Sequence, residues 1–150
     1  MLEPYSYTIS GDRKKFDFTS AGPKGRIPKL IEFSPVHEQI HQLGLTDRLA
    51  NGESDLTLPP TNNGDVYRVM STVIESMVCF FNEHPDQWVW IKGASAKHRR
   101  LYHRFLTTQL PAKNSHYLFY GIQSDQTWDA YQPGIDYESI LVAKRLTPVE

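Results

Sequence analysis

Between Gln87 and Ser124 the chain has no aspartate or glutamate, although six lysines and arginines fall there. The acids lie elsewhere. Residues 32–86 carry nine Asp or Glu against two Lys or Arg, and residues 125–150 carry five against two. Residues 1–31 lean the other way, with six basic residues and three acidic ones. The net charge is −1, so the chain lacks the overall positive charge of most nucleic-acid-binding domains. The acid-free segment can still form an anion-binding face. It can equally be balanced within the fold by the acidic segment before it.

Other absences narrow the class. One cysteine excludes an internal disulfide and fits a reducing cytoplasm. That residue, Cys79, lies in an apolar helical segment and reads as a small core residue, not a reactive thiol. No apolar run approaches the roughly 20 residues that span a bilayer, so no membrane partner is expected. The first fifteen residues have Glu3 and no apolar centre, unlike a secretory signal. Repeats and low-complexity runs are missing. The glycine-rich "AGPKGR" at 21–26 lacks the G-x-x-x-x-G-K-[ST] spacing of a nucleotide loop and reads as a hairpin turn. At 150 residues a single domain, 1–150, is expected, burying about two thirds of its unfolded surface.

Residues 16–20 and 26–34 read as two strands joined by that turn, with Pro28 at an edge or a bulge. Residues 36–45 are ambiguous between strand and short helix. The irregular stretch 46–64 contains "DLTL", a candidate for a short strand. Val66, Val69, Met70, Val73, Ile74, Met77, Val78 and Phe81 then recur at helical spacing. Asn63 or Asp65 can cap that helix, and Pro85 lies past its end. "QWVWIKG" is a strand. A second helix starts after Ser95 as N-cap and ends near Pro111. "HYLFYGI" and "YESILVAKR" close the chain as strands. The expected class is α+β, a mostly antiparallel sheet with two main helices, in the order β-β-(β)-(β)-α-β-α-β-β.

The segment "WVWIKGASAKHRRLYHRFL" at 88–106 carries the main functional signal. A helix start holds free N–H groups and partial positive charge. Acids belong there, yet Lys97, His98, Arg99 and Arg100 follow. Backbone donors and arginine forks together hold phosphates or carboxylates. Lys92, Ser95, Arg99, Arg100 and Arg104 are therefore the candidate ligand-binding residues. Arg99 and Arg100 point in different directions, so one of them faces a given pocket. The ligand is an anionic group or an acidic protein partner. The competing reading is a solvated cationic face paired with the acidic segment, because the dipole mismatch costs only tenths of a kcal/mol per charge.

"HEQIH" at 37–41 matches the zinc-protease pattern, with His37 and His41 as ligands and Glu38 as base. That chemistry needs a stable helix and a third ligand. Pro35 and Gly44 leave barely two turns, so the match reads as adventitious and no metal is expected. Trp88, Trp90, Tyr102, Phe105, Tyr117 and Tyr120 lie among the basic residues, a pattern that can stack on single-stranded nucleic acid. Aromatics on strands are more often core, and nucleic acid is not favoured. No Ser-His-Asp or Cys-His set can be assigned. Ser95, with His98 nearby, is better explained as a cap.

"FTSAGPKGRIPKLIEFSP", "NNGDVYRVMSTV", "WVWIKGASAKHRRLY" and "PGIDYESILVAKR" together resemble a family of small bacterial proteins of unknown function, seen often in Bacteroidetes. The resemblance covers most of the chain. It implies a Lys-Gly turn, here Lys92-Gly93-Ala94-Ser95, followed by an Arg-rich Leu-Tyr helix, and it brings no established activity. On that grouping alone, a toxin–antitoxin-type component with a small protein partner is an alternative. A weaker resemblance is to GCN5-related acyltransferases. It implies coenzyme A near Asn63–Asp65, Tyr102 as general acid, and a groove between the strand ending at Lys92 and a closing strand. Against that family's pattern, "TNNGDVY" offers one glycine and puts Asp65 where the pyrophosphate would sit. Leu106 and Thr107 stand where its Gly-Phe would follow.

Overall fold

The apolar stripe that starts at Val66 forms α1 (Val66–Glu83). Val69, Met70, Val73, Ile74, Met77 and Phe81 are buried, as is Phe80 beside them. The computed structural model describes residues 3–48, 61–92, 96–113 and 117–145. Around α1 it places β1 (Tyr7–Ile9), β2 (Lys15–Gly22), β3 (Gly25–His37), β4 (Ile40–Asp47), β5 (Trp88–Lys92), α2 (Ala96–Lys113), β6 (Tyr117–Ile122), β7 (Trp128–Ala130) and β8 (Ser139–Lys144). The strands form one sheet in the order β1-β2-β3-β4-β5-β8-β6-β7. Every neighbouring pair is antiparallel except β4–β5. The α+β class and the mostly antiparallel sheet are therefore as the sequence implies.

The ambiguous stretch 36–45 is mostly strand. The short edge strands β1 and β7 were not foreseen. "DLTL" and Ser95 lie outside the described residues. β4 and β5 are parallel, so the chain must cross over between them, and α1 makes that crossing. It lies on one face of the sheet, where Phe16, Phe33, Leu43, Val89, Ile91, Ile140 and Val142 meet it in a continuous core. Leu106 and Leu110 of α2 join the same core, so both helices cover one face. α2 runs through Pro111 to Lys113. A proline in the last turn forfeits one backbone bond there, so the helix does not stop at it.

The β2–β3 hairpin turns through Pro23 and Lys24, with Gly25 at φ +91°. Asn63 locks this turn. Its amide donates to Ser20 Oγ at 3.1 Å and to the Gly25 carbonyl at 2.9 Å, and its Oδ1 accepts from Lys24 N–H at 2.8 Å. "HEQIH" is the next turn. His37 ends β3, Ile40 pairs with it, and His41 pairs with Pro35. The two histidines therefore do not share a helix face, and no cluster able to hold a metal forms among the described residues. Cys79 is half-buried and packs against the core.

Candidate anion-binding groove

Register alternation divides the aromatic and basic residues that the sequence interleaves. Val89 and Ile91 of β5 face the helices, so Trp88 and Trp90 face the other side, level with Leu141 and Ala143 of β8. Tyr120 shares that outer face; its ring stacks on Trp88 at 5.5 Å and meets Trp128 edge-on at 5.3 Å. Tyr117 is buried in the core, while Tyr102 and Phe105 pack against it from α2. The cations of α2 thus lie on one side of the sheet and the Trp–Tyr platform on the other.

The five cluster residues also part company. Lys92, at the exposed end of β5, lies 3.9 Å from Glu138. Arg99 reaches Asp136 at 3.2 Å. Both acids come from the segment after β7. Among the described residues of the acidic segment 32–86, Asp47 pairs with Lys29, Glu32 with Lys15, and Asp65 accepts from the hydroxyls of Tyr5 and Ser20, each at 2.5 Å. Arg100 and Arg104 are exposed. Among the described residues neither has a carboxylate partner.

Those two arginines line a groove of about 300 Å³ between α2 and residues 131–136. On α2 the lining is Arg100, His103, Arg104, Thr107 and Thr108, which is spacing i, i+3, i+4, i+7, i+8. The opposite wall is Tyr131, Pro133, Gly134, Ile135 and Asp136. The Arg99 bond also holds Asp136 of that wall. Tyr137 anchors the wall's end: its ring packs where a side chain on Gly121 would stand, and its hydroxyl accepts from Gln132 N–H at 3.0 Å.

His103 is the residue the sequence reading passed over. It is 3% exposed, and Nε2 has no hydrogen-bond partner among the described residues. Burial, reinforced by Arg99, pushes its pKa down to about 4, against the pull of the Ile91 backbone and Asp136. The imidazole is therefore neutral at physiological pH. The helical spacing of Arg100, His103 and Thr107 was the signal that could have found it. The facing wall leaves no local pattern in the sequence.

The acyltransferase features do not assemble. β5 is paired along its length with β8, from Trp88–Ala143 to Lys92–Ser139, and with β4 on its other side. Among the described residues β5 and β8 leave no gap between them. Asn63 is bound to the hairpin and Asp65 to Tyr5 and Ser20, so the start of α1 presents an occupied carboxylate where a pyrophosphate would sit. Tyr102 is mostly buried, and burial pushes its phenol up. Among the described residues no helix is long and apolar enough to cross a membrane.

No curated protein and no solved structure gives a significant match to the chain. A family model does match, over residues 1–145, which takes in every strand, both helices and both walls of the groove. The chain belongs to DUF6934, a family of unknown function.

Proposed function

We propose that the groove between α2 and residues 131–136 binds a small anionic group, with Arg100 and Arg104 as its cations. The observation that carries this is the pair itself: two exposed guanidinium groups one turn apart, neither paired with a carboxylate among the described residues, on the wall of a 300 Å³ recess. Like charges at i, i+4 repel by a few tenths of a kcal/mol. An anion between them removes that penalty and gains forked hydrogen bonds. Lys92 and Arg99 are support: they hold Glu138 and Asp136.

The recess suits a small molecule better than an acidic protein partner, which would need a wider basic surface. Single-stranded nucleic acid is less favoured still, because the stacking aromatics lie across the sheet from the cations. Thermal unfolding with inorganic phosphate tests the reading. At about 100 times its dissociation constant the ligand adds about 2.7 kcal/mol, a midpoint rise of several degrees. The rise is lost in Arg100→Ala/Arg104→Ala. An equal rise in that variant, or none in the wild type, contradicts the proposal.

A further inference from the structure

We infer that the groove selects an organic phosphate with an apolar body: Arg100 and Arg104 take the phosphate, and Pro133 and Ile135 on the facing wall pack against the organic group. This rests on the anion groove proposed above and names its ligand class. The two walls differ in kind. Arg100 and Arg104 lie on α2, while Tyr131, Pro133 and Ile135 belong to the opposite wall. Among the described residues the exposed large apolar side chains are Val36, Tyr67, Trp128 and Ile135. Of these, Ile135, 42% exposed, is the one that lines the groove. A lone exposed apolar side chain is ordinary. This one shares a recess with a proline, a tyrosine and two cations.

The apolar wall is also built in place. Tyr131 N–H donates to the Phe119 carbonyl at 2.9 Å, and Glu138 N–H donates to the Ile122 carbonyl at 2.8 Å. Both carbonyls belong to β6. Between these ties the Tyr137 hydroxyl accepts from Gln132 N–H, and the Tyr131 and Tyr137 rings meet at 5.2 Å. The segment thus carries Pro133 and Ile135 on a fixed base.

Inorganic phosphate satisfies one wall only. Pro133 and Ile135 have no polar side-chain atom, and Asp136 is negative and pairs with Arg99. Apart from the Tyr131 hydroxyl, that wall offers a phosphate no side-chain donor. An apolar ester brings its anion to the arginines and covers Pro133 and Ile135 with carbon, which removes apolar surface from water. A neutral apolar ligand leaves the arginines unused, and a cation is repelled by them. The volume, about 300 Å³, is at the small end of ligand pockets and suits a phosphate bearing one ring or a short chain.

The test is calorimetric titration with phenyl phosphate and with methyl phosphate. At about pH 8 both are dianions, so they differ in apolar surface and not in charge. Burying roughly 50–60 Å² of that surface corresponds to about a tenfold gain, and the wild type is expected to prefer phenyl phosphate by about that factor. Ile135→Ser is expected to narrow the preference to about threefold. Independently of any variant, the Ile135 methyl resonances of the wild type are expected to shift with phenyl phosphate far more than with methyl phosphate. Equal affinity for the two esters, an unchanged preference in Ile135→Ser, or unmoved Ile135 methyls overturns this inference and leaves the anion groove standing. No binding of either ester overturns both.

Discussion

The Arg99 guanidinium lies 3.2 Å from the Asp136 carboxylate, and this contact sorts the basic helix into two halves. Arg99 is spent on the loop that walls the groove. Arg100, the next residue, has no carboxylate partner among the described residues and lines the groove. The acid-free segment is thus neither wholly balanced within the fold nor wholly free. Among the described residues its carboxylate partners, Glu138 and Asp136, come from beyond β7.

Asp136→Asn is therefore expected to strengthen phosphate binding. The change removes a negative wall residue and frees a third arginine. Stability is expected to move by less than about 1 kcal/mol, because the pair is partly exposed. Calorimetry and a urea titration of the same variant check the two halves of this statement. Weaker phosphate binding would mean that Asp136 places the wall more than it repels the ligand.

Gly121→Ala is expected to destabilise by about 1–3 kcal/mol. A Cβ there would stand 2.2 Å from the Tyr137 ring, and the ring must leave its place on β6. Because Tyr137 also holds Gln132, phosphate affinity is expected to fall with stability. A shift in denaturation midpoint without any loss of binding would separate Tyr137 from the groove.

Two histidines make the fold acid-sensitive. Burial lowers the pKa of His41, helped by Lys14 and His84, and lowers that of His103 to about 4. Each is harder to protonate when folded than when unfolded, where it takes up a proton near pH 6.5. Their contribution is complete above that value. It declines as pH falls from 6.5 toward 4, for His103 by about 3 kcal/mol in all. Histidine resonances followed against pH check this: His103 is expected to titrate near 4, and a midpoint near 6.5 contradicts its burial as a neutral ring.

Lys29 is 2% exposed and bonds Asp47 at 2.6 Å and the Thr61 carbonyl at 2.8 Å. Asp47 in turn accepts from Thr61 N–H at 3.0 Å. Burial pushes the Asp47 carboxyl up, but Lys29 and Thr61 outweigh it and hold the pKa below the ordinary value of 3.8. The ion pair's contribution is thus present above pH 3.8 and lost below it. Lys29→Met is expected to cost roughly 3 kcal/mol, since it strands a carboxylate. The urea midpoint of that variant near neutral pH measures the cost.

Much of this was legible in local spacing. α1 shows eight apolar residues on one stripe, and β5 and β6 are short apolar runs bounded by turn residues. Residues 36–45 were not legible, because Val36, Ile40 and Leu43 keep helical spacing while Leu43 and Leu45 alternate. Pairing of His41 with both Pro35 and Val89 decides for strand, and pairing is not local. The edge strands β1 and β7 are three residues each, too short to show a period. The charge count singled out the basic helix. It could not say which arginine meets Asp136, 37 positions away. Counting charge also passed over His103, which is buried and neutral.

Amide chemical-shift mapping with inorganic phosphate tests the central claim most directly, since it reads location without any substitution. The account predicts changes concentrated on Arg100–Thr108 and on residues 131–136. A second recess of about 530 Å³, lined by Tyr7, Arg26, Arg48 and Arg68 among others, lies across the molecule and serves as internal control. Changes confined to that recess, or none at saturating phosphate, would contradict the assignment of the α2 groove.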